Sequence, residues 1–199
     1  MGHISWFLHL ILCVLLYRHN VSFAAPRVCF DFAGDIIEET CQKCAAMSPR
    51  LSFNFCKSSL EEVVPHKGSL SVQELGIIAL ELATINATNT VTSIQKMLTR
   101  KTFGPHASLC LKDCLELYSD VIPTLSDSVR ALVNNNEYTA NIMISAAMEA
   151  ATTCQDGFEE EEGEVRPLVN DNNDFFQLCD IALVITSLVS ATPMLLTAK

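Results

Sequence analysis

Leu111, Leu115, Tyr118, Ile122, Leu125, Val129 and Leu132 follow one another at alternating steps of four and three residues. Apolar residues at that spacing line one side of an α-helix, and a mean repeat of about 3.5 residues makes that side the seam of a left-handed helical bundle. Strand-type alternation is nearly absent from the chain, so the expected class is all-α. Pro123 lies inside this stretch and should kink the helix or split it. Upstream, Leu75, Ile78, Leu82 and Ile85, then Ile94 and Leu98, mark a helix over about residues 71–101, with Gly104-Pro105 punctuating the join. A third helix is expected over about residues 137–154. Its core face is small (Met143, Ala147, Ala150, Cys154), and Asn141, Ser145, Glu149 and Thr152 form a polar stripe on the other side. A last helix over about residues 174–190 is apolar nearly all round, which implies enclosure by the others. A processed lipid-anchor tail is the rival reading of this terminus. Asp180 interrupts the apolar run and argues for the bundle.

The N-terminal run WFLHLILCVLLY, residues 6–17, is too short to span a bilayer, which takes about 20 residues, but suits the core of a signal peptide. Ser22-Phe23-Ala24 places small residues for cleavage after Ala24. No Lys or Arg precedes the run, which leaves an uncleaved anchor as the other reading. The expected organisation is a secretory leader over residues 1–24 and one domain over 25–199. Within that domain, 35–64 would form a helical hairpin turning at Ser48-Pro49, and 69–190 a four-helix bundle. The expected location is extracellular, with no membrane attachment once the leader is gone.

Of nine cysteines, Cys13 leaves with the leader. The other eight, an even number in a secreted chain, read as disulfides, and eight cysteines allow 105 pairings that the count does not choose among. Cys41-Gln-Lys-Cys44 has the spacing of a redox motif but lacks its strand–helix context, and zinc at Cys44 and Cys110 would compete with oxidation. No metal or cofactor is expected. Beyond the leader, the histidines are His66 and His106. Adjacent motifs build neither a Ser-His-Asp nor a Cys-His arrangement, and Glu159 to Glu162 reads as a solvated loop, so catalysis is not expected. The formal net charge of −10 disfavours nucleic acid, which is held by clustered Lys and Arg; it suits a basic partner, or serves only to keep the protein soluble. Asn86-Ala87-Thr88 is a glycosylation sequon.

Three features together resemble the plant invertase/pectin methylesterase inhibitor family, and its pollen-type members most of all. They are Cys41 and Cys56 around the hairpin, the Cys114-to-Cys154 spacing, and Ser145-Ala146-Ala147 leading into Thr153-Cys154-Gln155-Asp156-Gly157-Phe158. The resemblance implies an up-and-down four-helix bundle with an N-terminal helical hairpin, and disulfides Cys41–Cys56 and Cys114–Cys154. It leaves Cys29, Cys44, Cys110 and Cys179 as extra disulfides or buried thiols. It also implies a monomeric enzyme inhibitor whose target is pectin methylesterase or acid invertase. Members acting on the esterase cover its pectin cleft with a bundle face, for which Asn141, Ser145, Glu149 and Thr152 are the candidates here. Members acting on invertase insert a Pro-Lys-Phe turn. Here Asn134-Asn135-Asn136-Glu137-Tyr138 has Tyr138 for the aromatic, Glu137 for the basic residue and no proline, which favours the esterase. A helical ligand-binding or signalling protein without inhibitory activity is the reading from a different class.

Overall fold

The computed structural model describes residues 32–64, 70–161 and 165–196, with side chains from 33 to 191. The leader, Cys29 and His66 lie outside the described residues. Helices α1 (Phe32–Met47) and α2 (Phe53–Val63) form the hairpin; α3 (Val72–Arg100), α4 (Pro105–Val133), α5 (Glu137–Glu159) and α6 (Val169–Leu196) form the bundle. Each bundle helix packs on the next in sequence, and α6 returns to pack on α3, which closes an up-and-down ring. No strand occurs among the described residues.

Local chemistry sets the helix ends. Helix α3 opens with a capping box in which Ser71 Oγ accepts from Glu74 N and the Glu74 carboxylate accepts from Ser71 N at 2.7 Å. Hydrogen bonds donated by the Ser71 hydroxyl and then by its backbone N–H hold the Glu74 carboxyl below its usual range. Lys101 closes the helix in the left-handed region at φ 53°, and Pro105 opens α4 at a position where a missing N–H costs nothing.

Four expectations are corrected. Of the two outcomes expected at Pro123, a kink or a split, the split does not occur: Pro123 is exposed and the helix runs through it as one element. The buried seam of α4 is Leu111, Cys114, Tyr118, Val121, Leu125, Ser128 and Leu132, whereas Leu115, Ile122 and Val129 flank it half-buried. On α3 the buried row is Leu75, Ala79, Ala83, Ala87, Thr90 and Ile94, and Ile85 is exposed. On α5 the expected Ala147, Ala150 and Cys154 are buried, together with Ala140, Ile144, Ala151 and Phe158, whereas Met143 lies at the edge and the helix continues to Glu159. On α3 small residues take the place of larger ones where α6 comes close. At Gly76 an added Cβ would sit 2.8 Å from Ile185 Cγ2.

Helix α6 is long and apolar enough to cross a membrane by length and composition, but here it is the core of the fold. Phe175 to Ala182 are buried without a break. Two of those residues are polar, and the hairpin satisfies both. Ser48 Oγ donates to Asp180 Oδ2 at 2.5 Å, and Ser52 N donates to Gln177 Oε1 at 2.9 Å. Between them the Arg50 guanidinium lies over the Phe176 ring, 3.6 Å from its centroid.

The disulfides are Cys41–Cys56 within the hairpin and Cys114–Cys154 between α4 and α5. Loop-closure entropy gives about 3 kcal/mol for the shorter link and about 4 for the longer. Cys44 and Cys179 are buried thiols. Burial, and then the nearby Asp180 charge, pushes the Cys44 thiol up to about 12 and raises that of Cys179 as well. Native protein at pH 8 should therefore leave both thiols unalkylated by iodoacetamide, and denatured protein should expose both, as peptide mass mapping would report. Gly76→Val should cost about 1–3 kcal/mol by overpacking against Ile185. The double variant with Ile185→Ala should cost less than the sum of the two single changes in urea unfolding.

Candidate protein-binding surface

The connection from α4 to α5 is built from three asparagines. Asn134 Nδ2 donates to Arg130 O at 2.7 Å, Asn135 takes the left-handed conformation at φ 54°, and Asn136 Oδ1 accepts from Thr139 N as the cap of α5. Gln73 of α3 donates to Leu132 O at 2.5 Å and to Asn135 Oδ1 at 3.4 Å, which fixes the turn to the bundle. Glu137 follows in the first turn of α5, where a carboxylate complements the helix dipole.

From this pinned turn, α5 presents an outward face. Tyr138 is 77% exposed and Ile142, one turn on, is 52% exposed. Ser145, Glu149, Thr152 and Asp156 continue along the same side at steps of three or four, with Glu149 and Asp156 exposed. Val133 at the end of α4 adds a further apolar residue, 60% exposed. The face is therefore apolar at its Asn-turn end and polar and acidic along the rest.

The structure separates the four residues of the polar stripe. Glu149 faces solvent and Ser145 is half-buried. Asn141 crosses to α6, its Nδ2 standing 3.4 Å from both Thr186 Oγ1 and Ser187 Oγ, so it ties two helices together. Thr152 lines a groove of about 350 Å³ with Arg50, Gln155, Asn172 and Phe176. A chain of hydrogen bonds shapes that groove. Tyr118 Oη donates to Asn172 Oδ1 at 2.8 Å, Asn172 Nδ2 to Gln155 Oε1 at 3.1 Å, and Gln155 Nε2 to Glu159 Oε1 at 2.7 Å. Arg166 ends the chain on the same Glu159 oxygen at 2.9 Å. Burial, and then the Asp171 charge, raises the Tyr118 hydroxyl well above its ordinary range, so it stays a donor.

The sequence reading did not find Ile142 or Arg50. Ile142 follows Tyr138 by four residues on the polar side of α5, a helical pairing open to inspection. Nothing local marks Arg50, because its partner Phe176 is distant in sequence. In the sequence, adjacent motifs build no Cys-His arrangement around His106. Folding instead puts its Nε2 3.4 Å from Cys110 Sγ and its Nδ1 3.4 Å from Glu161 Oε2. Cys110 is buried and donates its S–H to Gly157 O, so the sulfur is not offered to a substrate. No cluster of three His, Cys, Asp or Glu side chains that could hold a metal occurs among the described residues. Asn86 lies mid-helix on α3, half-buried.

A disulfide-tied hairpin docked on a closed bundle, with one helix face left mixed and exposed, defines a helical module for binding another protein. Residues 35–185 match the family model described as plant invertase/pectin methylesterase inhibitor, and the chain belongs to that family. It is 34% identical over 162 residues to a Platanus orientalis protein named "Putative invertase inhibitor", covering 81% of this chain and 94% of that one. It is 29% identical over 185 residues to a pectinesterase inhibitor of Actinidia deliciosa, covering 93% and 94%. A solved pectin methylesterase inhibitor from Arabidopsis thaliana superposes with a TM-score of 0.56 at 25% identity, covering 77% of this chain and 95% of that one.

Tyr118→Phe should leave Asn172, 4% exposed, short of its donor and cost about 1–3 kcal/mol in urea unfolding. An unchanged midpoint would remove the hydrogen-bond chain as a support of the groove.

Proposed function

We propose that this chain is a secreted, non-catalytic, monomeric inhibitor of pectin methylesterase that lays the outer face of α5 over the enzyme's substrate cleft. The observation that carries this reading is the run of exposed Tyr138, Ile142 and Glu149, with half-buried Ser145 between them, on one side of one helix. Rigid aromatic and aliphatic anchors beside a polar rim are what tight protein interfaces use. The pinned Asn turn and the Cys114–Cys154 tie hold the face in one shape, so little is spent on ordering it. The relatives named pectinesterase inhibitors support the choice of target. A formal charge of −10 suits a basic enzyme, and the attraction weakens with salt.

Acid invertase is the second reading, supported by the name of the Platanus relatives and by Tyr138, which stands 77% exposed directly after the turn. Glu137 argues against it, because it puts a negative charge where the invertase-directed turn is basic. A ligand-carrier function has less behind it: Tyr118, Phe158 and Phe175 are fully buried and fill the bundle interior, and the Thr152 groove opens to solvent.

Titration of the oxidised, leader-free protein against a plant pectin methylesterase and an acid invertase in parallel tests the proposal. Saturable inhibition of the esterase alone is expected. Glu149→Lys should weaken it about tenfold or more, equal to about 1.4 kcal/mol, and Tyr138→Ala by a similar factor. Full esterase activity at saturating protein would refute the target, and inhibition unchanged by both substitutions would move the contact away from α5.

A further inference from the structure

The turn between α1 and α2 carries Arg50, which is exposed and lines the Thr152 groove. The turn itself is held still. Ser48 Oγ donates to Asp180, Ser52 N donates to Gln177, and Leu51 N donates to Ser48 O at 3.2 Å. Leu51, the next residue, is buried in the core. The guanidinium is held as well, since it lies on the Phe176 ring, 3.6 Å from the centroid. Stacking on a ring removes side-chain freedom that binding would otherwise have to freeze.

Among the described residues Arg50 has no carboxylate partner, and Asp156 shares the groove lining without pairing with it. The guanidinium therefore keeps its fork of N–H donors unspent, and that fork matches a carboxylate in shape and charge. Thr152 in the same lining adds a hydroxyl that has no hydrogen-bond partner among the described residues. Thr152 and Asp156 are also residues of the outward side of α5, so the groove continues that face.

Charge decides which carboxylate fits. Among the described residues lining the groove Arg50 is the only cation, it stands near Asp156, and the chain carries a net charge of −10. A polyanion such as de-esterified pectin would be repelled as a whole. A single Asp or Glu on an otherwise basic protein meets both the attraction of the whole chain and the local cation.

We propose that Arg50 anchors a carboxylate side chain of the target enzyme, so that the contact surface runs from α5 across the groove onto the hairpin turn. This rests on the reading of α5 as the enzyme-facing side. Arginine fixed on an aromatic ring at the edge of a polar groove is the type of residue on which interface affinity concentrates.

The test is calorimetric titration of a plant pectin methylesterase with the oxidised, leader-free protein and its Arg50 variants. Circular dichroism melts establish that each variant is folded. Long-range attraction and local pairing give opposite signs. Arg50→Gln makes the chain more negative, which by itself would tighten binding to a basic enzyme, whereas loss of a paired guanidinium weakens it. Arg50→Gln should weaken binding tenfold or more, and Arg50→Lys threefold or more, because the charge stays but the fork is lost. Arg100→Gln, exposed at the end of α3, should change it less than twofold. Trigalacturonate, a short fragment of de-esterified pectin, should show no saturable binding to the wild-type protein. Binding by Arg50→Gln that is unchanged or tighter, Arg50→Lys equal to wild type, or saturable trigalacturonate binding that Arg50→Gln abolishes would each overturn the proposal and leave the α5 reading standing. Wild-type protein that binds no esterase would overturn both.

Discussion

Helix α6 buries every residue from Phe175 to Ala182, and a helix without a solvent face has to be enclosed on all sides. Three long neighbours in an up-and-down ring do not achieve that, because α4 stands diagonally across and leaves part of α6 uncovered. The hairpin supplies the missing cover. This explains why two of the buried α6 side chains, Gln177 and Asp180, are polar: they lie where the hairpin turn arrives with Ser48 and Ser52. A buried carboxylate beside a hydroxyl is costly in isolation and specific when matched. The pair therefore fixes where the hairpin sits as much as how firmly.

Much of this was legible in the sequence, because helical spacing survives in Leu111, Tyr118, Leu125 and Leu132, and because Ser71 and Glu74 write a capping box in plain view. The errors share one physical origin. Reading hydrophobicity picks out large apolar residues, whereas the seams here are set by backbone proximity. Cys114 and Ser128 occupy core positions of α4 but are small beside their leucine and valine neighbours, so the inferred row slid onto Leu115 and Val129. Ile85 drew the α3 row outward while the alanines behind it did the packing. Contacts between residues far apart in sequence, such as Arg50 on Phe176 and Ser48 on Asp180, leave no periodic trace.

The α5 surface shows the same division. Its polar stripe was visible as a pattern, but pattern does not separate a side chain that faces solvent from one that reaches a neighbouring helix. Glu149 does the first and Asn141 the second, although both lie on one side of the same helix. The turn before it lacks the proline and the basic residue of the invertase-directed turn. Its three asparagines instead perform a helix stop, a left-handed residue and a helix start in succession, which accounts for the composition without reference to any target.

The contact between Gly76 and Ile185 has a consequence for how such a chain can change over generations. Two helices meet there with room for one side chain between them, so the positions share a single volume. Drift at residue 76 is closed until residue 185 has shrunk, whereas residue 185 can shrink first at the modest cost of a small void. Substitution at this pair therefore has a direction: the order in which the two residues change decides whether the intermediate sequence folds well enough to be inherited.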